Sequence, residues 1–258
     1  MATVDIVLRG FSVVTSEGNF APCGVYLVRA DDGRTLVYDS AHAGRRMKLL
    51  NALERRGIDP DRVDVVVASH GHWDHVQNFD VFKRAELLAH ADELAYLAAP
   101  DPGDHATPAW TRDLFAGARG VADGEELLPG VRALHLPGHS PGSLGLAVET
   151  ADGVAVISGD AVASSAAALA GFCPNVFFDA EKADASLKRV VELADVVYPG
   201  HDRPFRITGA TAEFLTDIRP MTVGVGGLPA EVVTVEARTG LQRLLHGAAR
   251  QSSTKGNR

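Results

Sequence analysis

The sequence has fewer basic residues than acidic ones. It has 25 lysines and arginines against 33 aspartates and glutamates, a formal charge of −8. The basic residues form no long block along the chain. A groove for nucleic acid or a surface for anionic membranes normally concentrates positive charge. We therefore expect neither nucleic acid nor a membrane surface to be the main partner.

Long apolar runs and cysteine pairs are also absent. No segment approaches the roughly 18 uninterrupted apolar residues of a membrane-spanning helix. The opening "MATVDIVLRGFSVV" does not have the charged and apolar regions of a secretory signal. Cys23 and Cys173 are far apart and form no CxxC pair, which argues against a disulfide framework or a cysteine zinc site. These absences predict a cytoplasmic protein.

What the sequence does contain is a series of strand-like and helix-like segments. Apolar runs such as "GVYLVRA", "RVDVVVASH", "AELLAH", "VRALHLPGH" and "GVAVISGD" are typical of strands. Helical spacing recurs in "AGRRMKLLNALERRG", "ADELAYLAAP" and "EKADASLKRVVELA". Two successive halves of this kind favour sheets packed on each other with helices outside. The pattern alone predicts a layered α/β protein.

Metal-ligand side chains follow four of these apolar segments at the point where each ends. They are His70, His72, Asp74 and His75 in "VVVASHGHWDHVQNF", His139 in "LPGHSPGS", Asp160 in "VISGDAV" and His201 in "YPGHDRPF". Strand ends at one edge of a sheet can converge, and histidine and carboxylate bind zinc and related ions. Residues two apart on an extended segment point to the same side, so His70 and His72 can coordinate one ion. Asp74 and His75 lie past the turn and can coordinate a second ion.

The motifs "HGHWDH", "PGHSPGS", "SGDAV" and "PGHDRP" together resemble the metallo-β-lactamase-fold hydrolase superfamily, over about residues 4–208. The resemblance implies an αβ/βα four-layer sandwich of two mixed β-sheets flanked by helices. It also implies a ligand set: His70, His72 and His139 for one metal, Asp74, His75 and His201 for the other, and Asp160 bridging both. Asp39, in "DSAHAG" where the family has "DTG", is expected to orient a ligand histidine.

The resemblance further implies a dinuclear metal-dependent hydrolase that uses a metal-bridging hydroxide, with Asp74 as the residue that steers or accepts a proton. Two divalent ions are expected. Zn²⁺ is the expected metal, and iron and manganese are the alternatives. True β-lactamases of this fold carry other groups where Asp160 stands. Lactonase-like and hydroxyacylglutathione-hydrolase-like members suggest a small ester, lactone or thioester with a hydrophobic portion as the substrate.

Two other functions stay open at this point. One is a phosphodiesterase or nuclease of the same superfamily, against which the acidic balance of the chain counts. The other is oxygen chemistry on a single iron, as in persulfide dioxygenases, or a role without catalysis. A complete second ligand set, with His75 and His201 both present, counts against single-iron chemistry and against a role without catalysis.

Aromatic residues near the motifs are the candidates for contact with the substrate. They are Trp73 between two ligands, His105 and Trp110 in the connection 101–117, and Phe172, Phe177 and Phe178 in "AGFCPNVFF". A connection of that length inside a compact domain is often a lid or a binding loop. An apolar wall over the metals would favour a substrate with a hydrophobic portion.

The expected domain organisation is a catalytic domain over residues 1–210 and an extension over 211–250 packed on the same domain. Within the extension the pattern suggests a strand at 229–237 and a helix at 239–249. Residues 251–258, "QSSTKGNR", are expected to be a disordered tail. The sequence does not indicate an oligomeric state, although the C-terminal segment is a candidate homodimer interface.

Overall fold

The computed structural model describes residues 1–15, 18–217 and 241–249. The strands are β1 Thr3–Leu8, β2 Val13–Thr15, β3 Gly18–Phe20, β4 Val25–Arg29, β5 Thr35–Tyr38, β6 Val65–Val67, β7 Glu86–His90, β8 Arg119–Val121, β9 Glu126–Leu128, β10 Val131–His135, β11 Leu144–Thr150, β12 Gly153–Gly159, β13 Asn175–Val176, β14 Val196–Pro199, β15 Phe205–Thr208, β16 Thr211–Phe214 and β17 Leu244–Leu245. The α-helices are α1 Arg46–Glu54, α2 Trp73–Val76, α3 Ala91–Ala98, α4 Thr111–Leu114, α5 Ser165–Ala170 and α6 Ala180–Leu193. Short 3-10 turns cover Ala43–Arg45, Pro60–Arg62, Phe79–Val81 and Asp160–Val162.

Two large sheets form the centre of the fold. The first has the order β1-β4-β5-β6-β7-β8, antiparallel from β1 to β5 and parallel from β5 to β8. The second has the order β16-β15-β14-β12-β11-β10-β9. In it β12 and β14 are parallel, and the other neighbours are antiparallel. Both sheets are therefore mixed, as predicted.

The core lies between the two sheets and on the outer face of each. The residues between the sheets include Tyr38, Val67 and Leu88 from the first sheet and Leu146 and Ile157 from the second. On the outer faces, Val66 packs in one cluster with Leu53 of α1, and Val156 packs in another with Leu187 of α6. Alternate residues of a strand point to opposite faces, so each sheet is covered on both sides. The predicted four-layer αβ/βα sandwich is confirmed.

Helix α6 illustrates how local sequence produces one of the outer layers. Asp179 caps its N-terminus, and one carboxylate oxygen accepts hydrogen bonds from the backbone N–H groups of Glu181 and Lys182, each at 3.0 Å. Leu187 and Val190 are buried against the second sheet, and Ala183, one turn before Leu187, is buried in a smaller cluster with Val176. The amphipathic helix predicted for this segment is present.

The four ligand-bearing segments leave the sheets on one side of the molecule. Strands β10, β12 and β14 all run in one direction, because β10 and β12 each pair antiparallel with β11, and β14 pairs parallel with β12. Their carboxyl ends therefore lie at one edge of the second sheet. Ser69, just after β6, accepts a hydrogen bond from Leu144 N at 2.8 Å. This bond holds the "HGHWDH" segment of the first sheet against the same edge.

The C-terminal part of the chain departs from the sequence prediction. The helix predicted over residues 239–249 is wrong at Leu244–Leu245, which form β17 and pair in parallel with β13. Strand β16 extends the second sheet past residue 210, and the division of the chain at that residue stays a prediction. The predicted strand at 229–237 and the tail at 251–258 lie outside the described residues. No described helix is long and apolar enough to cross a membrane.

Candidate metal centre

Three histidines from two loops bring their ring nitrogens together. His139 Nε2 lies 3.2 Å from His70 Nε2 and 3.1 Å from His72 Nδ1. All three side chains are buried. Nitrogen atoms separated by just over 3 Å have the spacing of ligands that share one metal ion, whose bonds to them are about 2.1 Å long. This group, His70, His72 and His139, is called the first trio below.

A second group of three faces the first. Asp74 and His75 lie on the short helix α2, and His201 follows β14. Asp74 Oδ2 is 3.5 Å from His75 Nε2 and 3.6 Å from His201 Nε2. These residues could hold a metal ion through one ligand atom each. They are called the second trio.

Asp160 lies between the two trios, in the turn that follows β12. Its Oδ2 atom is 3.1 Å from His201 Nε2 and 3.5 Å from His139 Nε2, and its Oδ1 atom is 3.5 Å from His75 Nε2. A side chain at Gly200 would collide with Asp160 Oδ1, so glycine is required beside this carboxylate. The side chain predicted to bridge two metals is thus within reach of both groups.

Unsatisfied atoms test whether these residues fit a metal. His75 Nε2 and Asp160 Oδ1 are buried, and neither has a hydrogen-bond partner in the part of the chain that the structure describes. A buried polar atom left in this state costs about 1–3 kcal/mol. A cation between the trios would satisfy both atoms, and imidazole with carboxylate suits zinc, iron and manganese. The donor set fits a metal.

Electrostatics favour the metal-binding protonation states of His70, His139 and Asp160. Burial lowers the pKa of His139 to about 4, and burial also lowers the pKa of His70. These two rings are therefore neutral, the form in which imidazole binds a cation. Burial would raise the pKa of Asp160, but the charges of His201 and His75 hold it well below its usual value. The carboxylate is ionised. Burial would lower the pKa of His75 and His201, but nearby carboxylates raise it, so these two rings would lose a proton when a cation binds.

Asp39 contacts His75 of the second trio. Its Oδ2 atom is 2.8 Å from His75 Nδ1, and its Oδ1 atom accepts a hydrogen bond from Ser69 N at 2.7 Å. The bond to Nδ1 directs the other nitrogen of His75, Nε2, toward Asp74 and Asp160. Asp39 and Ala41 both have a φ of 61°. Ala41, where the family has glycine, therefore keeps the left-handed backbone that glycine would favour.

Other rings of the centre are oriented by residues that the sequence analysis missed. His139 Nδ1 donates to the backbone oxygen of Asn175 at 2.7 Å. His72 Nε2 is 3.6 Å from Asp104 Oδ1. Burial would raise the pKa of Asp104, but the interaction with His72 lowers it. Neither Asn175 nor Asp104 belongs to a motif, so no sequence signal identifies them.

The predicted substrate residues divide by location. The ring of Phe177 is 4.5 Å from that of His72 and 5.3 Å from that of His139, so it lies against the first trio. Trp73, beside Asp74, is 39% exposed. Of the other four, Phe172 faces Arg243, Phe178 faces Lys182, and His105 and Trp110 are exposed; their contact with substrate stays a prediction.

His246 of the C-terminal segment packs on Phe177, and the two rings form an aromatic wall beside the first trio. The ring of His246 stacks on Phe177, with centroids 4.3 Å apart and planes 15° apart. His246 N donates to Val176 O at 2.8 Å, beside the β13–β17 pairing. No motif marks His246 in the sequence, because its position depends on a pairing between distant segments.

A further cluster of His90, Asp92 and His135 has ligand-type side chains but a different arrangement. The two imidazole rings are stacked 3.6 Å apart and 10° from parallel. His90 Nδ1 accepts a hydrogen bond from Asp92 N at 3.2 Å, and His135 Nε2 donates to Pro141 O at 3.0 Å. Parallel rings do not direct their lone pairs at a common point. Both rings form these hydrogen bonds within the fold, and we do not assign the cluster to the metal centre.

Comparison with known proteins adds family relationships to this geometry. Residues 18–201 match the profile of the Metallo-beta-lactamase superfamily. The chain is 30% identical over 209 residues to Metallo-beta-lactamase domain-containing protein 1 of Xenopus laevis, covering 80% of this chain and 82% of that protein. It is 31% identical over 208 residues to the Homo sapiens protein of the same name, covering 77% and 67%. An N-acyl homoserine lactonase of Bacillus thuringiensis is 28% identical over 160 residues, covering 60% and 62%.

Solved structures share the fold. A quorum-quenching N-acyl homoserine lactone lactonase superposes with a TM-score of 0.62 at 20% identity, covering 78% of this chain and 91% of that one. A dizinc quorum-quenching lactonase superposes with a TM-score of 0.60 at 18% identity, covering 79% and 81%.

The site and the relatives lead to one classification. The described residues supply a histidine-rich metal-binding cluster, and the relatives include lactonases. The chain is accordingly a metal-dependent hydrolase. With a matching profile over residues 18–201 and a relative that is 30% identical over 209 residues, the chain belongs to the metallo-beta-lactamase superfamily.

Proposed function

We propose that this enzyme is a dinuclear hydrolase that cleaves a small ester, lactone or thioester with a hydrophobic portion. The observation that carries the proposal is the position of Asp160, whose two oxygen atoms lie within 3.5 Å of ligand nitrogens from both trios. One carboxylate placed in this way can serve two cations at once. A single-ion site would not need the second trio.

The metal assignment follows from the donor atoms. His70, His72 and His139 would hold one divalent ion, Asp74, His75 and His201 the other, and Asp160 both. Zn²⁺ suits this set of nitrogen and oxygen donors, with iron and manganese as the alternatives. Bound divalent ions would lower the pKa of a water molecule and polarise the carbonyl oxygen of the substrate.

Asp74 is the residue of the centre best placed to handle a proton. Its side chain is 13% exposed, whereas those of His75 and Asp160 are 0% and 8% exposed. A carboxylate at the open side of the centre can orient the attacking water and accept its proton. The chain therefore needs no serine or cysteine nucleophile for this reaction.

The surroundings of the first trio favour an apolar substrate. Phe177 lies against His72 and His139, and His246 stacks on Phe177. Two cations near this segment in the described part of the chain contact other groups: Arg243 pairs with Asp184 at 2.6 Å, and Lys182 lies over Phe178. A polynucleotide would need free positive charge along its path. An acyl chain attached to a lactone carbonyl, as in the substrates named for the lactonase relatives, fits this wall better.

The test combines metal analysis with a substrate panel. The purified protein is assayed for metal content and then for kcat/KM on N-acyl homoserine lactones, aryl esters, thioesters, bis-aryl phosphodiesters and short RNA. We expect about two divalent ions per chain and the highest kcat/KM on an acyl substrate with an apolar chain, abolished by chelator and restored by Zn²⁺. Faster phosphodiester turnover that depends on His201 would overturn the substrate class. One iron per chain with persulfide oxidation would overturn the reaction.

A further inference from the structure

Glu93 is a buried carboxylate outside the two trios. It lies in the first turn of α3 and is 0% exposed. Acidic side chains are almost never fully buried unless their oxygens are satisfied. Here Oε1 accepts a hydrogen bond from Gly71 N at 2.7 Å, and Oε2 accepts hydrogen bonds from Ser140 Oγ and Gly142 N, each at 2.9 Å.

These three donors belong to the two loops that carry the first trio. Gly71 stands between His70 and His72, and Ser140 directly follows His139. One carboxylate therefore connects a loop of the first sheet with a loop of the second. It does so with both oxygens, one for each loop.

The glycines of these loops are needed for the close approach. A side chain at Gly142 would collide with the backbone of Glu93, and one at Gly71 would lie 3.3 Å from Glu93 Oε1 and closer still to Leu97. The glycines in "HGH" and "HSPG" thus have a physical explanation. They let the backbone N–H groups reach the carboxylate.

Helix α3 is itself fixed to the same loop. The side chain of His90 caps its N-terminus, and the ring of His90 stacks on His135. His135 in turn donates to Pro141 O at 3.0 Å, between the two residues that Glu93 binds. The position of Glu93 relative to residues 140–142 is therefore set from two directions.

We infer that Glu93 is a positioning residue of the metal centre, which holds the loop of His70 and His72 in register with the loop of His139. The inference rests on the ligand set proposed above. A positioning residue of this kind sets the distances within the first trio. The affinity for one of the two ions should depend on it, since groups that orient metal ligands typically change affinity about 10- to 100-fold when substituted.

The substitution Glu93→Gln keeps the volume of the side chain and removes one acceptor. Its NH₂ group cannot accept a hydrogen bond, so at least one loop is released. We expect the affinity for one ion per chain, measured by competition with a chelator, to fall about 10- to 100-fold. The visible spectrum of the Co²⁺ form should change as well, because the geometry around that ion changes. Glu93→Ala should weaken binding further, because it releases both loops.

Two controls separate positioning from a general effect. Glu181→Gln makes the same change in the first turn of α6, where the side chain is exposed, and should leave metal affinity unchanged. Leu187→Ala removes a side chain that is 2% exposed in the core under α6. It should lower the stability of the fold and leave the affinity for both ions within twofold of the original protein.

A variant of the loop keeps the test decisive if Glu93 variants do not fold. Ser140→Ala removes one of the two donors to Oε2 and should reduce the affinity for the same ion by a smaller factor. His139→Ala should abolish binding of that ion. Unchanged affinity in Glu93→Gln and Ser140→Ala together with loss of the ion in His139→Ala would overturn the role of Glu93 alone. Unchanged binding in His139→Ala would overturn the ligand set. An equal loss in Leu187→Ala would show a stability effect and overturn positioning.

Discussion

Asp160 is the residue on which both trios depend, and Asp160→Asn tests its position directly. The amide keeps the shape of the side chain but loses the charge and one acceptor oxygen, which removes the carboxylate that lies between the two trios. We expect the loss of about one ion per chain and a fall in kcat/KM of about 100-fold or more, with the circular dichroism spectrum retained. The control is Asp152→Asn in an exposed turn. Full metal content with undiminished turnover in Asp160→Asn would contradict the bridging assignment.

Asp39 provides a second test at this scale, because it acts on the metal through His75. In Asp39→Asn the amide oxygen can still accept from Ser69 N, but the NH₂ group then meets His75 Nδ1. That contact favours a proton on His75 Nε2, the atom that faces the second trio. We expect metal affinity to fall about 10- to 100-fold, measured by titration of the metal-free protein. Asp64→Asn, an exposed aspartate that binds Thr35 N, should bind metal normally. Equal affinity in the two variants would remove Asp39 from the centre.

At the scale of elements, the part of the site predicted from the sequence is the part that strand ends provide. Val65–Val67 predict a buried strand, and the ligands directly after it come together because β10, β12 and β14 end at the facing edge. The pairing of β13 with β17 could not be predicted in this way. Each strand has two residues, too few for a visible alternation, and the register depends on contacts between segments far apart in the chain. Glu93 was missed for a similar reason, since two of its three donors are backbone N–H groups and all three lie in loops far from it in the chain.

The β13–β17 pairing leads to a prediction about substrate selection. It holds His246 on Phe177, and Phe177 lies against His72. If this wall receives the apolar part of the substrate, Phe177→Ala and His246→Ala should raise KM for long acyl chains about tenfold, the equivalent of one lost apolar contact of ~1.4 kcal/mol. The KM for short chains and the metal content should stay constant. Leu241→Ala, an exposed change on the same segment, is the control. Equal changes in KM for short and long chains would assign the wall a purely structural role.

For the whole molecule, the ligand trios link the two sheets, so metal binding should contribute to global stability. The first trio joins the end of β6 in the first sheet to the end of β10 in the second, and Asp160 adds the end of β12. An ion that binds only the folded chain stabilises it by about 2.7 kcal/mol when its free concentration is 100 times the dissociation constant.

For a chain of 258 residues, that stabilisation corresponds to a rise in the thermal midpoint of about 5–10 °C. We expect a chelator to lower the midpoint by this amount and Zn²⁺ to restore it in a concentration-dependent way. Removing the ion also leaves His75 Nε2 and Asp160 Oδ1 buried without partners in the described structure, which acts in the same direction. The thermal midpoint of His139→Ala should change less on addition of the chelator, because the first trio in this variant no longer includes a ligand from the second sheet. A midpoint that stays the same across the whole range of chelator and Zn²⁺ concentrations would contradict a metal that joins the two sheets.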